Sequence, residues 1–420
     1  MDKFVIEGGR ELNGVVEISG SKNAALPIMA ATLLADRPCV LRNVPDLADI
    51  RTMSSLLGEL GVEVNRDGGS LHCEVCDAAN VEAPYDLVRR MRASFCVLGP
   101  LVAKRKKARV SLPGGCVIGL RPIDLHLKGL EALGAKITVE HGYIVAEADR
   151  LRGAEIYLGG AFGSTVTGTA NVIMAAALAD GRTTIENSAC EPEVCDLADF
   201  LIRMGAKISG AGTPRLVVEG VEHLEGCEYE VIPDRVEGGT FLLASAMTRG
   251  DIGLRNVRLD HLHAVVDKLA QTGVRVYRDG DTVRVASPER PAATDATTLP
   301  YPGFPTDLQA QLMAVLSMGD GISVITEKVY PDRFMHIAEL NRMGAKIRKE
   351  GPTSIIIGVE SLSGAQVMAS DLRASAALVL AGLAARGTTE VLRVYHIDRG
   401  YERIENKFRS LGAKIERLKE

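Results

Sequence analysis

Leu197-Ala198-Asp199-Phe200-Leu201-Ile202-Arg203-Met204-Gly205-Ala206-Lys207-Ile208 is the stretch whose reading decides the fold. Apolar residues at helical spacing through Leu197–Met204 mark one face of an amphipathic helix. Gly205 closes that helix, and Ala206-Lys207-Ile208 starts a strand. The same phrase returns as Leu60-Gly61-Val62-Glu63-Val64, Leu133-Gly134-Ala135-Lys136-Ile137, Thr272-Gly273-Val274-Arg275-Val276, Met343-Gly344-Ala345-Lys346-Ile347 and Leu411-Gly412-Ala413-Lys414-Ile415. Its glycines are spaced 68 to 73 residues apart, so the chain repeats one unit six times.

A second pattern runs in step with the first. Ala- and Gly-rich helices are expected at Lys22–Ala35, Arg92–Ala103, Thr167–Ala179, Arg235–Met247, Asp307–Met318 and Arg373–Ala385. Their apolar residues are not confined to one stripe, which predicts burial all round. Each unit therefore reads as strand, buried helix, strand, amphipathic helix, strand. Six such units exceed one domain, and two domains of three units each are expected.

The polar residues of these helices gather at their starts: Ser21-Lys22-Asn23, Arg92-Ala93-Ser94, Thr165-Val166-Thr167, Asp234-Arg235, Thr306-Asp307 and Asp371-Leu372-Arg373. Any one start is explained by an ordinary N-cap, with Ser21, Thr306 and Asp371 as the capping residues, beside a solvated arginine. Six in register, with basic residues at four, point instead to a cleft ringed by helix ends that receives a polyanion.

Bulk composition narrows the partners. Among 420 residues, 49 are basic and 54 acidic, and the net charge of −5 predicts no general affinity for nucleic acid or acidic membranes. The apolar runs Ala24–Ala35 and Ala374–Ala385 are too short to span a bilayer. Met1-Asp2-Lys3-Phe4-Val5-Ile6 enters a strand-like segment without a signal peptide, and eight scattered cysteines fit a reducing cytoplasm. No phosphate-binding Walker loop or dinucleotide fingerprint is present, which argues against nucleotide hydrolysis and a dinucleotide cofactor.

The chemistry is expected on Ser111-Leu112-Pro113-Gly114-Gly115-Cys116-Val117-Ile118-Gly119-Leu120-Arg121-Pro122-Ile123-Asp124-Leu125-His126, a loop by its Gly and Pro content. A thiol there is accessible, and Arg121 can lower its pKa or bind an anion. The bland alternative is a surface turn with an incidental cysteine. His126 either orients the loop, binds substrate or simply packs. Cys73-x-x-Cys76 lacks a second pair to make a zinc site, and alternation through Leu71–Val75 reads as a strand. His261-x-His263 has no carboxylates at matching spacing and reads as surface. The run Lys104-Arg105-Lys106-Lys107 reads as the solvated end of the second buried helix. Cys96, Cys190, Cys195 and Cys227 read as small core or near-surface residues.

Several phrases together resemble the UDP-N-acetylglucosamine 1-carboxyvinyltransferase family of the EPSP synthase superfamily. They are Ser21-Lys22-Asn23-Ala24-Ala25-Leu26-Pro27, Arg92-Ala93-Ser94, the cysteine loop with Arg121-Pro122-x-Asp124-Leu125-His126, Phe304-Pro305-Thr306-Asp307, Arg333-Phe334-Met335-His336 and Arg399-Gly400-Tyr401-Glu402. They are collinear over essentially the whole chain. The resemblance implies an α/β fold, the two-domain inside-out α/β barrel built from six repeats of about 70 residues. Residues 1–21 and 231–420 would form a catalytic domain containing both termini. Residues 22–230 would form a second three-repeat domain carrying the cysteine loop, with the active site between them. It also implies transfer of the enolpyruvyl group of phosphoenolpyruvate to the 3-hydroxyl of UDP-N-acetylglucosamine, with release of phosphate, opening peptidoglycan synthesis.

By position in that family, Asp307 stands at the sugar hydroxyl as the base, and Cys116 is the general acid that can also add to the substrate. Lys22, Arg121 and Arg399 form a cationic clamp, with Asn23 near the reacting centre. Arg92, Arg121, Pro122, Ile123, Asp124, Leu125, Thr165, Val166 and Val329 line the nucleotide-sugar site. Arg333, Asp371 and Arg373 add further polar groups. The third helix start, Gly163-Ser164-Thr165-Val166-Thr167-Gly168-Thr169, differs from the Ser-Val-Gly-Ala-Thr form of many members. No metal or other cofactor is implied. The expected partners are the two substrates, with no nucleic acid and no membrane, on a monomer or weak homo-oligomer. The runner-up activity is transfer to shikimate 3-phosphate, against which the cysteine loop argues. A non-catalytic nucleotide-sugar-binding homologue would have no reason to keep Lys22, Cys116, Asp307 and Arg399 together.

Overall fold

The computed structural model describes every residue except 1, 114–122, 162, 288 and 420. The chain divides into two compact units, one running up to Ser19 and again from Pro233, the other from Gly20 to Ile232. Each unit contains three four-stranded sheets. In one of them Glu155–Tyr157 lies parallel to Arg182–Glu186, which is antiparallel to Arg215–Glu219, itself antiparallel to Lys207–Ser209. All six sheets repeat this pattern of one parallel and two antiparallel pairs.

The six glycines of the repeated phrase all adopt the left-handed conformation, with φ between +76° and +110°. Only glycine enters that region without a steric penalty, so each one ends an amphipathic helix and turns the chain into a strand. The helix Pro192–Arg203 ends in this way, and Lys207–Ser209 follows it.

The buried helices are Lys22–Ala31, Leu98–Arg105, Val166–Ala176, Arg235–Thr248, Gln309–Ser317 and Leu372–Ala384. Two start later than the sequence predicts. Arg92–Val97 and Thr306–Leu308 are 3-10 turns, so Arg92 and Asp307 do not stand at the N-termini of α-helices. In the first case Pro100 has no N–H to donate to the Cys96 carbonyl and its ring crowds that carbonyl, which disfavours continuous α-helix across Cys96. In the second, Thr306 is not a cap: its hydroxyl is directed to Glu327 instead. The third helix starts one residue earlier than expected, with the Thr165 hydroxyl accepting the Gly168 N–H. Ser21 and Asp371 cap their helices as anticipated.

Small residues let the helices approach closely. A Cβ at Gly99 would lie 2.3 Å from the Asn171 carbonyl oxygen on the neighbouring helix. Each unit has its own core, with Phe95, Leu101, Ile173 and Phe200 in one and Phe4, Phe241, Phe408 and Leu312 in the other. Complete burial of each such side chain contributes roughly 1.5–3 kcal/mol. Among the described residues no helix is long and apolar enough to cross a membrane.

Candidate active site

Asp307 is the centre of a charged cluster in the unit that contains both termini. It sits on the turn Thr306–Leu308, which Pro305 introduces. Arg333 Nη1 donates to Asp307 Oδ1 at 2.8 Å, and Arg373 Nη2 donates to Oδ2 at 3.1 Å. The two arginines come from different elements. Arg333 precedes the helix His336–Arg342, and Arg373 lies in the first turn of Leu372–Ala384, whose start Asp371 caps through the N–H groups of Arg373 and Ala374.

Arg373 is almost wholly buried and stacks over the Tyr401 ring at 5.3 Å. Burial alone would lower its pKa, but Asp307 and Tyr401 raise it above the ordinary arginine value. Burial also raises the Tyr401 hydroxyl, against the opposing effect of Arg373. That phenol is held by Thr240 and by Gln311 Nε2, and Gln311 also donates to the Asp307 carbonyl. Arg399 closes the 3-10 segment Val394–Arg399, two residues before Tyr401.

In the other unit, the first turn of Lys22–Ala31 places the Lys22 ammonium 3.1 Å from Asp49 Oδ2, both side chains being buried. Asn23 follows it, half-buried. Ile123, Asp124 and Leu125 enter the helix Asp124–Ala132, and Thr165 and Val166 start Val166–Ala176. His126 joins these two starts. Asn171 Nδ2 donates to His126 Nδ1 at 2.8 Å, which leaves His126 Nε2 as the donor to Thr167 Oγ1 at 3.1 Å. Asn171 also donates to the Phe95 carbonyl and accepts the Gly99 N–H, so the segment behind Arg92 belongs to the same network. Burial, with the charge of Arg92 added, pushes the His126 pKa down to about 3. The imidazole is therefore a neutral connector.

The site residues thus fall into two groups. Asp307, Arg333, Asp371 and Arg373 meet in one unit, where Val329 is bound through its N–H to Glu327. Lys22 is paired with Asp49 in the other unit, where Ile123, Asp124 and Leu125 lead into His126, Thr165 and Val166 lead into Thr167, and the charge of Arg92 acts on His126. Cys116, Arg121 and Pro122 lie outside the described residues. Asp49, Asn171 and Glu327 escaped the sequence reading. Asn171 carries a signal, as a lone amide within the apolar run Val166–Ala176, whereas Asp49 and Glu327 resemble surface acids in sequence.

The remaining motifs take their places as ordinary structure. Cys73 lies buried in the strand Ser70–Val75 while Cys76 is exposed beyond it. Lys104 and Arg105 end the helix Leu98–Arg105, which Lys106 terminates in the left-handed conformation.

Comparison with known proteins defines the family. The model of the EPSP synthase (3-phosphoshikimate 1-carboxyvinyltransferase) family matches residues 6–408. UDP-N-acetylglucosamine 1-carboxyvinyltransferases of Desulfosudis oleivorans and Geobacter metallireducens are 55% and 54% identical over 418 and 420 residues. That of Anaeromyxobacter sp. is 57% identical over 424 residues, and in all three cases 100% of both chains is covered. Among solved structures, the enolpyruvyl transferase NikO from Streptomyces tendae has a TM-score of 0.90 at 25% identity, covering 99% of each chain. An EPSP synthase from Acinetobacter baumannii has a TM-score of 0.76 at 16% identity over 100% of each chain, a likeness of fold.

Proposed function

The chain belongs to the UDP-N-acetylglucosamine 1-carboxyvinyltransferase family, and from that premise we propose that it transfers the enolpyruvyl group of phosphoenolpyruvate to the 3-hydroxyl of UDP-N-acetylglucosamine. The sugar oxygen bonds to the central carbon of phosphoenolpyruvate as the hydroxyl proton leaves and the methylene carbon gains a proton. The resulting tetrahedral intermediate then loses a methyl proton, the carbon–oxygen bond to phosphate breaks, and phosphate departs. The product opens peptidoglycan synthesis in the cytoplasm.

In this reading Asp307 accepts the hydroxyl proton and Cys116 delivers one to the methylene carbon. Lys22, Arg121 and Arg399 hold the phosphate and carboxylate, whose charge needs fixed cations in a water-poor site. Asn23 stands near the reacting centre. Arg92, Arg121, Pro122, Ile123, Asp124, Leu125, Thr165, Val166 and Val329 contact the nucleotide sugar, while Arg333, Asp371 and Arg373 shape the surroundings of Asp307. Residues 1–21 with 231–420 supply one set of groups and residues 22–230 the other.

The observation that carries the assignment of Asp307 is its carboxylate held between two guanidiniums, one on each oxygen. One guanidinium on each oxygen fixes the orientation of the carboxylate and leaves each oxygen further lone-pair capacity with which to meet the acceptor hydroxyl. Arg333 and Arg373 thereby position Asp307 for the acceptor. Phosphate release from phosphoenolpyruvate tests the reading, with UDP-N-acetylglucosamine or shikimate 3-phosphate as acceptor. Release with the nucleotide sugar alone is expected. Release with shikimate 3-phosphate alone overturns the choice of acceptor, and release with neither overturns the activity.

A further inference from the structure

Glu327 ends the strand Ile322–Glu327 and is completely buried. Four groups donate to its carboxylate. Oε1 accepts from Thr298 Oγ1 at 2.6 Å and from the N–H groups of Val329 and Tyr330 at 2.8 and 2.9 Å, and Oε2 accepts from Thr306 Oγ1 at 2.9 Å. The contacts from Val329 and Tyr330 close the turn after the strand, and that from Thr298 comes from the paired strand Ala296–Thr298, so these three explain a loop anchor. The fourth leaves that turn and reaches the residue before Asp307.

That fourth contact fixes a direction of donation. A hydroxyl has one proton, and Thr306 gives it to Glu327, so its oxygen can only accept from anything else. Arg333 Nη1 donates to it at 3.1 Å, and the same nitrogen donates to Asp307 Oδ1 at 2.8 Å. Arg333 is long and has many rotamers, and ordering it costs entropy. Two acceptors on one nitrogen select a single placement.

We propose that Glu327 is a positioning residue for the transfer reaction, acting through the Thr306 hydroxyl to aim Arg333 at Asp307 while its two backbone contacts hold the segment carrying Val329. The inference rests on the proposed role of Asp307 at the sugar hydroxyl. Glu327 and Thr306 touch no reacting atom. Their effect is that the restraint on Asp307 and the Val329 segment share one buried anchor, so an acceptor settling against that segment is referenced to the carboxylate that must meet its hydroxyl.

Thr306→Val removes the hydroxyl with little change of shape, Thr306→Ser keeps it, and Glu327→Gln replaces one acceptor with a donor. Thr306→Val and Glu327→Gln are expected to lower kcat by about 10²-fold, with the KM for UDP-N-acetylglucosamine within about threefold of wild type. Thr306→Ser should turn over like the wild type, and the double variant Glu327→Gln/Thr306→Val should be no slower than the slower single one. Wild-type turnover by Thr306→Val, or an equal loss in Thr306→Ser, overturns the proposal.

A second readout needs no turnover. Phenylglyoxal modification of Arg333, followed by peptide mass mapping and normalised to exposed Arg342, should be faster in Thr306→Val and Glu327→Gln than in the wild type or Thr306→Ser. Unchanged labelling of Arg333 overturns the proposal. If the wild-type enzyme releases no phosphate with the nucleotide sugar, the functional reading fails, while the labelling still reports on the chain from Glu327 to Arg333.

Discussion

Arg373 meets the Asp307 carboxylate at 3.1 Å from a position where its own side chain is 2% exposed. A guanidinium at that depth cannot shed its proton, so Asp307 supplies the compensating charge. Asp307→Ala should therefore destabilise the enzyme by about 3–5 kcal/mol in denaturant unfolding, because Arg373 loses its buried counter-charge. Turnover should fall by at least ~10²-fold while UDP-N-acetylglucosamine binds within about tenfold of wild type. Asp307→Asn, which keeps the shape and one acceptor, should lose as much turnover with a smaller loss of stability. Unchanged turnover in either variant removes Asp307 from the mechanism.

Gly99 offers a test of packing alone. Its N–H is bonded to the Asn171 side chain, and an added methyl would lie 2.3 Å from the Asn171 carbonyl. Backbone cannot yield as a flexible side chain can. Gly99→Ala should cost about 1–3 kcal/mol, read as a lower urea midpoint without a change in the slope of the transition. An unchanged midpoint would mean that the helices are further apart than described.

Acid should weaken the fold through two histidines. Burial, with the charge of Arg92 added, holds His126 to about 3, and burial holds His336 to about 4 against the opposing effect of Asp371. Both are neutral in the folded protein, whereas the unfolded chain takes up protons below the ordinary value of 6.5. The stability is complete above 6.5 and is lost as pH falls towards 4 and 3, by up to roughly 1.4 kcal/mol per pH unit for each group. Unfolding at pH 7.5 and pH 5 should show the loss, and His126→Gln should make the dependence shallower. An identical pH dependence in that variant would show that His126 is not held neutral.

The cysteines predict a single site of attack. Burial pushes the thiols of Cys73 and Cys96 up to about 12 and that of Cys195 up to about 11, which leaves them almost without thiolate. Cys76 is exposed and is the competitor to watch. If Cys116 is the general acid beside a phosphate clamp, the epoxide phosphonate fosfomycin should alkylate it irreversibly, and faster with UDP-N-acetylglucosamine present. Cys116→Asp should resist inactivation and keep measurable activity, since a carboxylic acid still delivers a proton. Peptide mass mapping should find one adduct, on the segment containing Cys116. An adduct on Cys76 instead, or none, removes Cys116 from that role.

What the sequence made legible follows from what is periodic in it. The six glycines announced their left-handed turns because no other residue adopts that conformation as cheaply, and the Ala- and Gly-rich runs announced the buried helices because their apolar residues are not confined to one stripe. Arg92 and Asp307 were expected on α-helix starts and stand on 3-10 turns, since the effects of Pro100 and of the Thr306 contact to Glu327 act locally and leave no period. Asp307, Arg333 and Arg373 lie in three separate segments, and only the folded chain brings their charges within 3.1 Å. Asp49 and Glu327 were invisible for a related reason, because a buried acid differs from a surface acid in its partners and not in its neighbours along the chain.

The way the strands are shared also sets an order of assembly on the ribosome. Glu228–Glu230 pairs with Cys39–Arg42, and the Ser21 N–H reaches the Ile232 carbonyl at 2.7 Å, so the unit from Gly20 to Ile232 has every strand it needs once that residue emerges. Asp2–Glu7 emerges long before its partners, Thr388–Leu392 and Lys414–Lys419. At cellular rates of synthesis the opening strand must wait on the order of 20 to 80 s for those partners. Throughout that interval Phe4 and Ile6 have no finished sheet to enter, and once Ile232 has emerged the nascent chain carries one completed unit together with an unpaired apolar strand.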